Sequence, residues 1–213
     1  MKTVVYLIRH ANRLSGVIDE YVSNDTKQIM NEKIILSPKG EKQASQLAKL
    51  ECLSNVNVIY TSHFTRTVGT AKYLAEKLNL SIKIDERFGE HIFGNYDREK
   101  YPFYVEQKHH DFDFKVHGGE SLNDTRIRIA RAFNEVIDIN KGREIAIFSH
   151  EIALLCLLSG FCEVGYNLDN KIILSYKNSL SIPGVWTQPD GFKIIFDDDK
   201  IINIEKIEMP FAD

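Results

Sequence analysis

Short unbroken apolar runs alternate along this chain with stretches in which apolar residues recur every three or four positions. The runs Val4-Val5-Tyr6-Leu7-Ile8, Val56-Asn57-Val58-Ile59-Tyr60 and Ile145-Ala146-Ile147-Phe148 have the length of buried strands, and Ser81 to Asp85 is a shorter one. The other stretches predict helices. Ser37-Pro38 opens one, with Ser at the N-cap, Pro in the first turn and Glu41 close behind, continued by Ala44, Leu47 and Ala48. A second runs from Thr65 to Asn79 with Val68, Ala71, Ala75 and Leu78 on one stripe. The longest covers Glu120 to Ile139 and is broken at Gly142, and a short apolar one, Ile152 to Leu158, stops at Gly160. Asn12 to Lys33 carries no assignable pattern, and residues 86–119 form an aromatic, polar, glycine-bearing excursion. Lys171 to Tyr176, Phe192 to Phe196 and Ile201 to Ile207 predict three further strands, with Asp197-Asp198-Asp199 as the turn between the last two.

Alternation of strand and helix implies an α/β fold in three layers: a mostly parallel central sheet with helices on both faces, and an antiparallel C-terminal hairpin at one edge. No repeat, low-complexity segment or linker interrupts the chain, so the expectation is a single domain over residues 1–213. At 213 residues, with 43% hydrophobic and 27% charged, it has the composition of a globular protein with a core. The net charge of −3 argues against nucleic acid or an anionic membrane as partner. No run approaches the ~20 apolar residues of a membrane span. Cys52, Cys156 and Cys162 are few, odd in number and without metal-ligand spacing, which fits a reducing compartment. The apolar run before Arg9 is too short for a signal peptide, so the expected location is cytoplasmic. Nothing in the sequence demands an oligomer.

The chemistry gathers at the strand ends. The first strand ends in Arg9-His10, the fourth in Ser149-His150, and the second in Thr61-Ser62 with Arg66 one helical turn later. If these strands are parallel neighbours, two arginines and two histidines meet at one sheet edge, where α/β proteins bind their ligands. Arginine offers planar, bidentate donors to a phosphate, and neutral imidazole is a nucleophile. A transferring phosphoryl group, with charge spread over its equatorial oxygens, suits such a set. Its leaving oxygen needs a proton, and Glu90, in Phe88-Gly89-Glu90-His91-Ile92-Phe93-Gly94, is the candidate acid.

These residues resemble the signature of the histidine phosphatase superfamily, the phosphoglycerate mutase-like fold. Arg9-His10-Ala11 is similar to its Arg-His-Gly. Leu36-Ser37-Pro38-Lys39-Gly40-Glu41-Lys42-Gln43-Ala44 resembles its Leu-Thr-x-x-Gly-x-x-Gln-Ala. Ser62 to Ala71, with Arg66 and Thr70, resembles its Ser-x-x-x-Arg-x-x-x-Thr-Ala. Glu90 to Gly94, Gly118-Gly119-Glu120-Ser121 with Arg128, and Ser149-His150 complete an ordered set within residues 4–158. The resemblance implies that His10 forms a phosphohistidine that water hydrolyses, that Arg9, Arg66 and His150 hold the phosphoryl oxygens, and that Glu90 protonates the leaving group. It implies no metal and no cofactor, with a small phosphorylated molecule as substrate. Asn12, Arg13, Ser62 and Glu151 are the expected further substrate contacts.

This chain departs from the pattern at three positions. Ala11 replaces glycine, which would carry strain if the backbone there needs a positive φ. Arg13 stands where the acid-phosphatase branch has arginine, and reads as an added phosphate ligand. Glu151 replaces the usual glycine after the second histidine, at a position where the acid-phosphatase branch has its proton donor, so it is the reserve acid behind Glu90. Two alternatives to hydrolysis stand beside it: a cofactor-dependent phosphoglycerate mutase, and a module that only binds a phosphorylated ligand. The short span of residues 91–117 favours the phosphatase branch, and the full set of nucleophile, cations and acid argues against a mere binder. His109, His110, Asp111, Asp113 and His117 match no metal motif and read as a solvated loop. Tyr96, Tyr101, Phe103, Tyr104 and Phe112 read as packing for the excursion, and Lys27, Lys33 and Lys39 as solvated cations, with one of them reaching a distal substrate group as the alternative. Residues 12–35 and 91–117 are expected to select the leaving group.

Overall fold

The computed structural model describes residues 1–15, 27–95, 97–169, 171–177 and 180–209. Residues 16–26 of the unassigned polar stretch, and Tyr96, lie outside the described residues. The elements in chain order are β1 (Lys2–Arg9), α1 (Lys27–Lys33), α2 (Pro38–Leu47), β2 (Val58–Thr61), α3 (Thr65–Leu78), β3 (Ile82–Ile84), α4 (Tyr101–His110), α5 (Leu122–Ile139), β4 (Glu144–Ser149), α6 (Glu151–Leu158), β5 (Glu163–Tyr166), β6 (Ile172–Tyr176), β7 (Leu180–Ile182), β8 (Asp190–Asp197) and β9 (Lys200–Lys206).

A six-stranded sheet runs in the order β3-β2-β4-β1-β8-β9. β1, β2, β3 and β4 are parallel, whereas β8 and β9 form the expected antiparallel hairpin at one edge. β6 does not join it as a continuation of the tail. With β5 and β7 it makes a separate three-stranded antiparallel sheet. β5 and β7 have four and three residues, too short to show an alternating pattern in the sequence.

Both faces of the central sheet are buried, which is why its strands read as apolar runs. Val5, Leu7, Ile145 and Ile147 pack toward α5 and α6, and the same cluster takes Ile172, Leu174 and Ile182 from the second sheet. Tyr6, Ile8, Ile59, Ala146 and Phe148 pack on the other face with Leu47, Ala71 and Leu74 of α2 and α3. The helix α6 is apolar all round because Ala153 to Leu158 are all buried. Among the described residues no helix is long and apolar enough to cross a membrane.

Helix boundaries follow local chemistry. Ser37 caps α2 by accepting the N–H of Gly40 at 3.0 Å. Ser121 and Asp124 make a reciprocal capping box that starts α5 at Leu122, two residues later than its apolar pattern suggests. Asn79 closes α3 in a left-handed conformation, φ 53°. Of the run read as a solvated loop, His109 and His110 belong to α4, which has Pro102 in its first turn, whereas Asp111, Asp113 and His117 lie beyond the helix.

Register aligns the three strand ends. Ile8 lies opposite Phe148 and Arg9 opposite Ser149, while Thr61 lies opposite Phe148 from the other side. The N–H groups of His10 and Ser62 then bond the carbonyls of Ser149 and Phe148, each at 3.1 Å. His10, Ser62 and His150 therefore leave the sheet side by side.

The segment around Gly40 exists to hold the turn after His10. A Cβ at Gly40 would stand 1.9 Å from the carbonyl oxygen of Asn12. Gln43 Oε1 accepts the Asn12 N–H at 3.0 Å, and Ala44 packs on Ala11. Replacing a helical glycine with alanine ordinarily stabilises. Gly40→Ala is expected to do the opposite, costing about 1–3 kcal/mol by overpacking against backbone. Thermal unfolding checks it, and an unchanged melting temperature contradicts this contact.

Candidate active site

His10 and His150 stand with ring centroids 5.2 Å apart, at an interplanar angle of 65°. Arg66, 2% exposed, holds both. Its Nε donates to His10 Nε2 at 3.1 Å, its Nη2 lies 3.2 Å from His150 Nδ1, and its Nη1 donates to the Asn31 carbonyl at 2.6 Å. These contacts set the tautomers, because a guanidinium only donates. His10 Nδ1 lies 2.8 Å from the Ala11 carbonyl, so the proton is on Nδ1 and the lone pair on Nε2. His150 likewise accepts at Nδ1 and donates from Nε2 to Ser62 Oγ, 2.9 Å away. Ser62 also meets Thr67 Oγ1 at 2.7 Å and accepts the Phe64 N–H at 3.3 Å. Its hydroxyl is thus spent on orienting His150.

Burial, then the charge of Arg66, push both imidazoles well below the ordinary histidine value; Arg9 adds to this at each. Both rings are neutral at neutral pH. Burial also brings Arg66 down to about 10, which leaves it charged.

Arg9 is turned toward the C-terminal part of the chain. Its Nη2 pairs with Glu151 Oε2 at 2.6 Å, and its Nη1 donates to the carbonyls of Trp186 and Thr187. Its Nε is buried without a hydrogen-bond partner among the described residues. Glu151 has both oxygens engaged, since Oε1 accepts the Trp186 N–H at 3.0 Å. Glu90 differs. Its Oε1 accepts the N–H groups of His91 at 2.9 Å and of Ala153, in the first turn of α6, at 3.1 Å. Its Oε2 has no hydrogen-bond partner among the described residues. Burial raises the Glu90 pKa above the usual carboxylate value, against the opposing pull of those N–H groups and of Arg66.

Glu90 lines a cavity of about 550 Å³ with Asn31, Phe93, Tyr101 and Ile152. A larger cleft of about 1040 Å³ meets Arg9, Asn12, Glu151 and Trp186, and Arg13, exposed, stands on the wall of both. The Asn12 side chain is occupied by Ser37 Oγ at 2.6 Å and Gln188 Oε1 at 3.2 Å. Ala11 incurs no strain. The only non-glycine residues with positive φ among those described are Asn79, Lys177 and Asp198, and the Ala11 N–H is taken by Thr70 Oγ1 at 3.0 Å.

Sequence reasoning assigned no role to the residues that hold this set in place. Glu120 and Arg128 form a two-pronged pair, 2.6 and 2.7 Å, and Arg128 also donates to the carbonyls of Arg87, Gly89 and Glu90. Glu120 Oε2 accepts the Ile92 N–H, so the pair clamps the backbone on both sides of Glu90. Gly119 allows this: a Cβ there would lie 2.5 Å from the Phe93 carbonyl oxygen. The spacing of Gly-Gly-Glu-Ser to Arg128, eight residues from Glu120 and within the first two turns of α5, was the available signal. Among the described residues, no group of three or more His, Cys, Asp or Glu could hold a metal ion.

An α/β sheet edge thus carries two neutral imidazoles held by one buried guanidinium, a set whose donors suit a compact oxyanion. Comparison with known sequences agrees: the histidine phosphatase superfamily (branch 1) matches residues 5–193, and the chain belongs to that family. It is 28% identical over 164 residues to the "Probable phosphoglycerate mutase GpmB" of Cronobacter sakazakii, and 27% identical over 164 residues to that of Salmonella choleraesuis, covering 73% of each chain. Solved structures share the fold. A mycobacterial glucosyl-3-phosphoglycerate phosphatase superposes with a TM-score of 0.68 at 19% identity, covering 97% of both chains. Bacillus stearothermophilus YhfR gives 0.67 at 21% identity, over 93% of this chain and 94% of that one. A variant of the phosphoserine phosphatase of Entamoeba histolytica, in complex with phosphoserine, gives 0.64 at 16% identity, over 95% and 96%.

Proposed function

We propose that this protein hydrolyses a small phosphomonoester through a phosphohistidine on His10, within one catalytic domain and without a metal. The observation that carries the reading is the grip of Arg66 on both rings, Nε to His10 Nε2 and Nη2 to His150 Nδ1. An arriving phosphoryl oxygen takes over the Arg66 Nε–H, which frees the His10 lone pair for in-line attack on phosphorus. The P–O bond to the leaving group breaks as the P–N bond forms, and the Glu90 carboxyl passes its proton to the departing oxygen. Water then attacks phosphorus, Glu90 takes the proton back, and the P–N bond breaks to release phosphate. Arg66, the buried Arg9 Nε–H and Arg13 stabilise the oxygens, and the Ala11 carbonyl keeps the proton on His10 Nδ1 throughout. Glu151 acts by fixing Arg9, Ser62 by fixing His150, and Asn12 by fixing the turn after His10.

The names of the sequence relatives favour one competing reading, a phosphoglycerate mutase. Aryl phosphate turnover in EDTA, measured beside phosphoglycerate interconversion with added bisphosphoglycerate, separates the two. Net phosphate release supports hydrolysis, and interconversion without release overturns it.

The pH dependence follows from the two shifts. His10 must be neutral and loses its proton well below pH 6.5, while Glu90 must carry its proton and keeps it above its ordinary pKa of 4.5. kcat/KM therefore forms a bell, with His10 on a rising limb well below pH 6.5 and Glu90 on a falling limb above pH 4.5. Glu90→Gln is expected to slow alkyl phosphates by about 10²–10⁴-fold, to slow aryl phosphates with good leaving groups far less, and to lose the falling limb. The same pattern from Glu151→Gln instead would reassign the acid.

A further inference from the structure

Lys108, on α4, is 3% exposed, a burial lysine seldom shows unless paired. Its Nζ donates to the Glu120 carbonyl at 2.8 Å, lies 2.5 Å from His91 Nε2, and sits 4.6 Å from the centroid of the Phe93 ring. All three partners are neutral, because burial and the Lys108 charge push His91 down to about 3. The nearby Glu120 carboxylate is spent on Arg128, and Lys108 enters none of the ion pairs among the described residues. Burial pulls its pKa down to about 8, the carboxylates of Glu120 and Asp124 act on it without pairing with it, and one of its three N–H donors is unassigned.

Lys108 lines a chamber of about 290 Å³ whose other walls are largely apolar, among them Val105, Leu122, Leu155 and Ile172. Phe93, Tyr101 and Ile152 belong both to this chamber and to the cavity that contains Glu90. Lys171 and His109 also line it, and its one carboxylate, Glu151, is already engaged by Arg9 and the Trp186 N–H. Beyond the proton donor there is thus a largely apolar space lined by a buried lysine that enters no ion pair among the described residues.

We propose that the leaving group is an apolar chain or ring ending in a carboxylate, its body in this chamber and its carboxylate on Lys108. This rests on the phosphatase reading and narrows it to a substrate class. The test uses the full chain and a graded series of ω-carboxyalkyl phosphates, each beside the neutral alkyl phosphate of equal length. At the length that reaches Lys108, kcat/KM is expected to favour the carboxylate by about tenfold or more, the lower range for a desolvated charge pair. Lys108→Met brings that ratio close to one. Absence of a preference at every length, or its persistence in Lys108→Met, overturns the proposal. Should Lys108→Met not fold, Val185→Trp, at a chamber position 58% exposed, narrows the same space. It is expected to raise KM for the long carboxyalkyl phosphate about tenfold relative to ethyl phosphate, and equal KM changes for the two overturn the assignment. Failure of the underlying reading looks different: no phosphate, aryl phosphate included, is then hydrolysed in a His10-dependent way, and both proposals fall.

Discussion

His10→Ala is expected to lower kcat for aryl phosphate hydrolysis by on the order of 10⁴-fold or more, since the attacking atom itself is lost. Structure alone does not account for so large a loss. The variant frees one donor of Arg66, whose other two contacts, to His150 and the Asn31 carbonyl, stay in place. The cost to stability is then about 1–3 kcal/mol, the penalty for one unsatisfied buried group. Phosphate release and thermal unfolding, measured on the same preparation, separate the two effects. A folded His10→Ala protein that retains a tenth of the wild-type rate removes His10 from the chemistry.

Arg66→Lys is the second large effect, although it keeps the charge. The guanidinium serves three acceptors in one plane, and an ammonium has neither the reach nor the flat fork to serve His10 Nε2, His150 Nδ1 and the Asn31 carbonyl together. On the proposed mechanism it also removes the flat pair of donors that meets the phosphoryl group. The expected loss is about 10²–10³-fold in kcat/KM, comparable to deleting one donor from an oxyanion hole. A variant within threefold of wild type would mean that charge at this position suffices and the fork does not matter, against the role given to Arg66 here.

How much of this could be read from the chain depends on where each residue's neighbours come from. β1, β2 and β4 have both faces covered, so their apolar runs announce them, and parallel pairing places Arg9-His10, Ser62 and His150 at one edge. The helix caps at Ser37 and Ser121 are local, and so equally legible. The substrate side is not. α1 has no buried residue, and α4 leaves Tyr101 and Phe103 exposed while burying Lys108, so neither shows an apolar stripe. Lys108 carries no local signal of burial, and only its packing against His91 and Phe93 reveals it. Glu151 reads as a spare acid in sequence. Its binding to Arg9 and to the Trp186 N–H joins residues far apart along the chain, and no local pattern encodes that. Ala11 looked like a strained substitution only because glycine suggests a positive φ, which this turn does not use.

The central claim is that phosphorus passes through nitrogen on its way to water. The stereochemical course at phosphorus tests this most directly, using a phosphomonoester made chiral with oxygen isotopes and thio substitution. Two in-line displacements, first by His10 Nε2 and then by water, predict overall retention of configuration. Inversion would mean a single direct attack by water, with His10 at most an anion ligand, and would contradict the account.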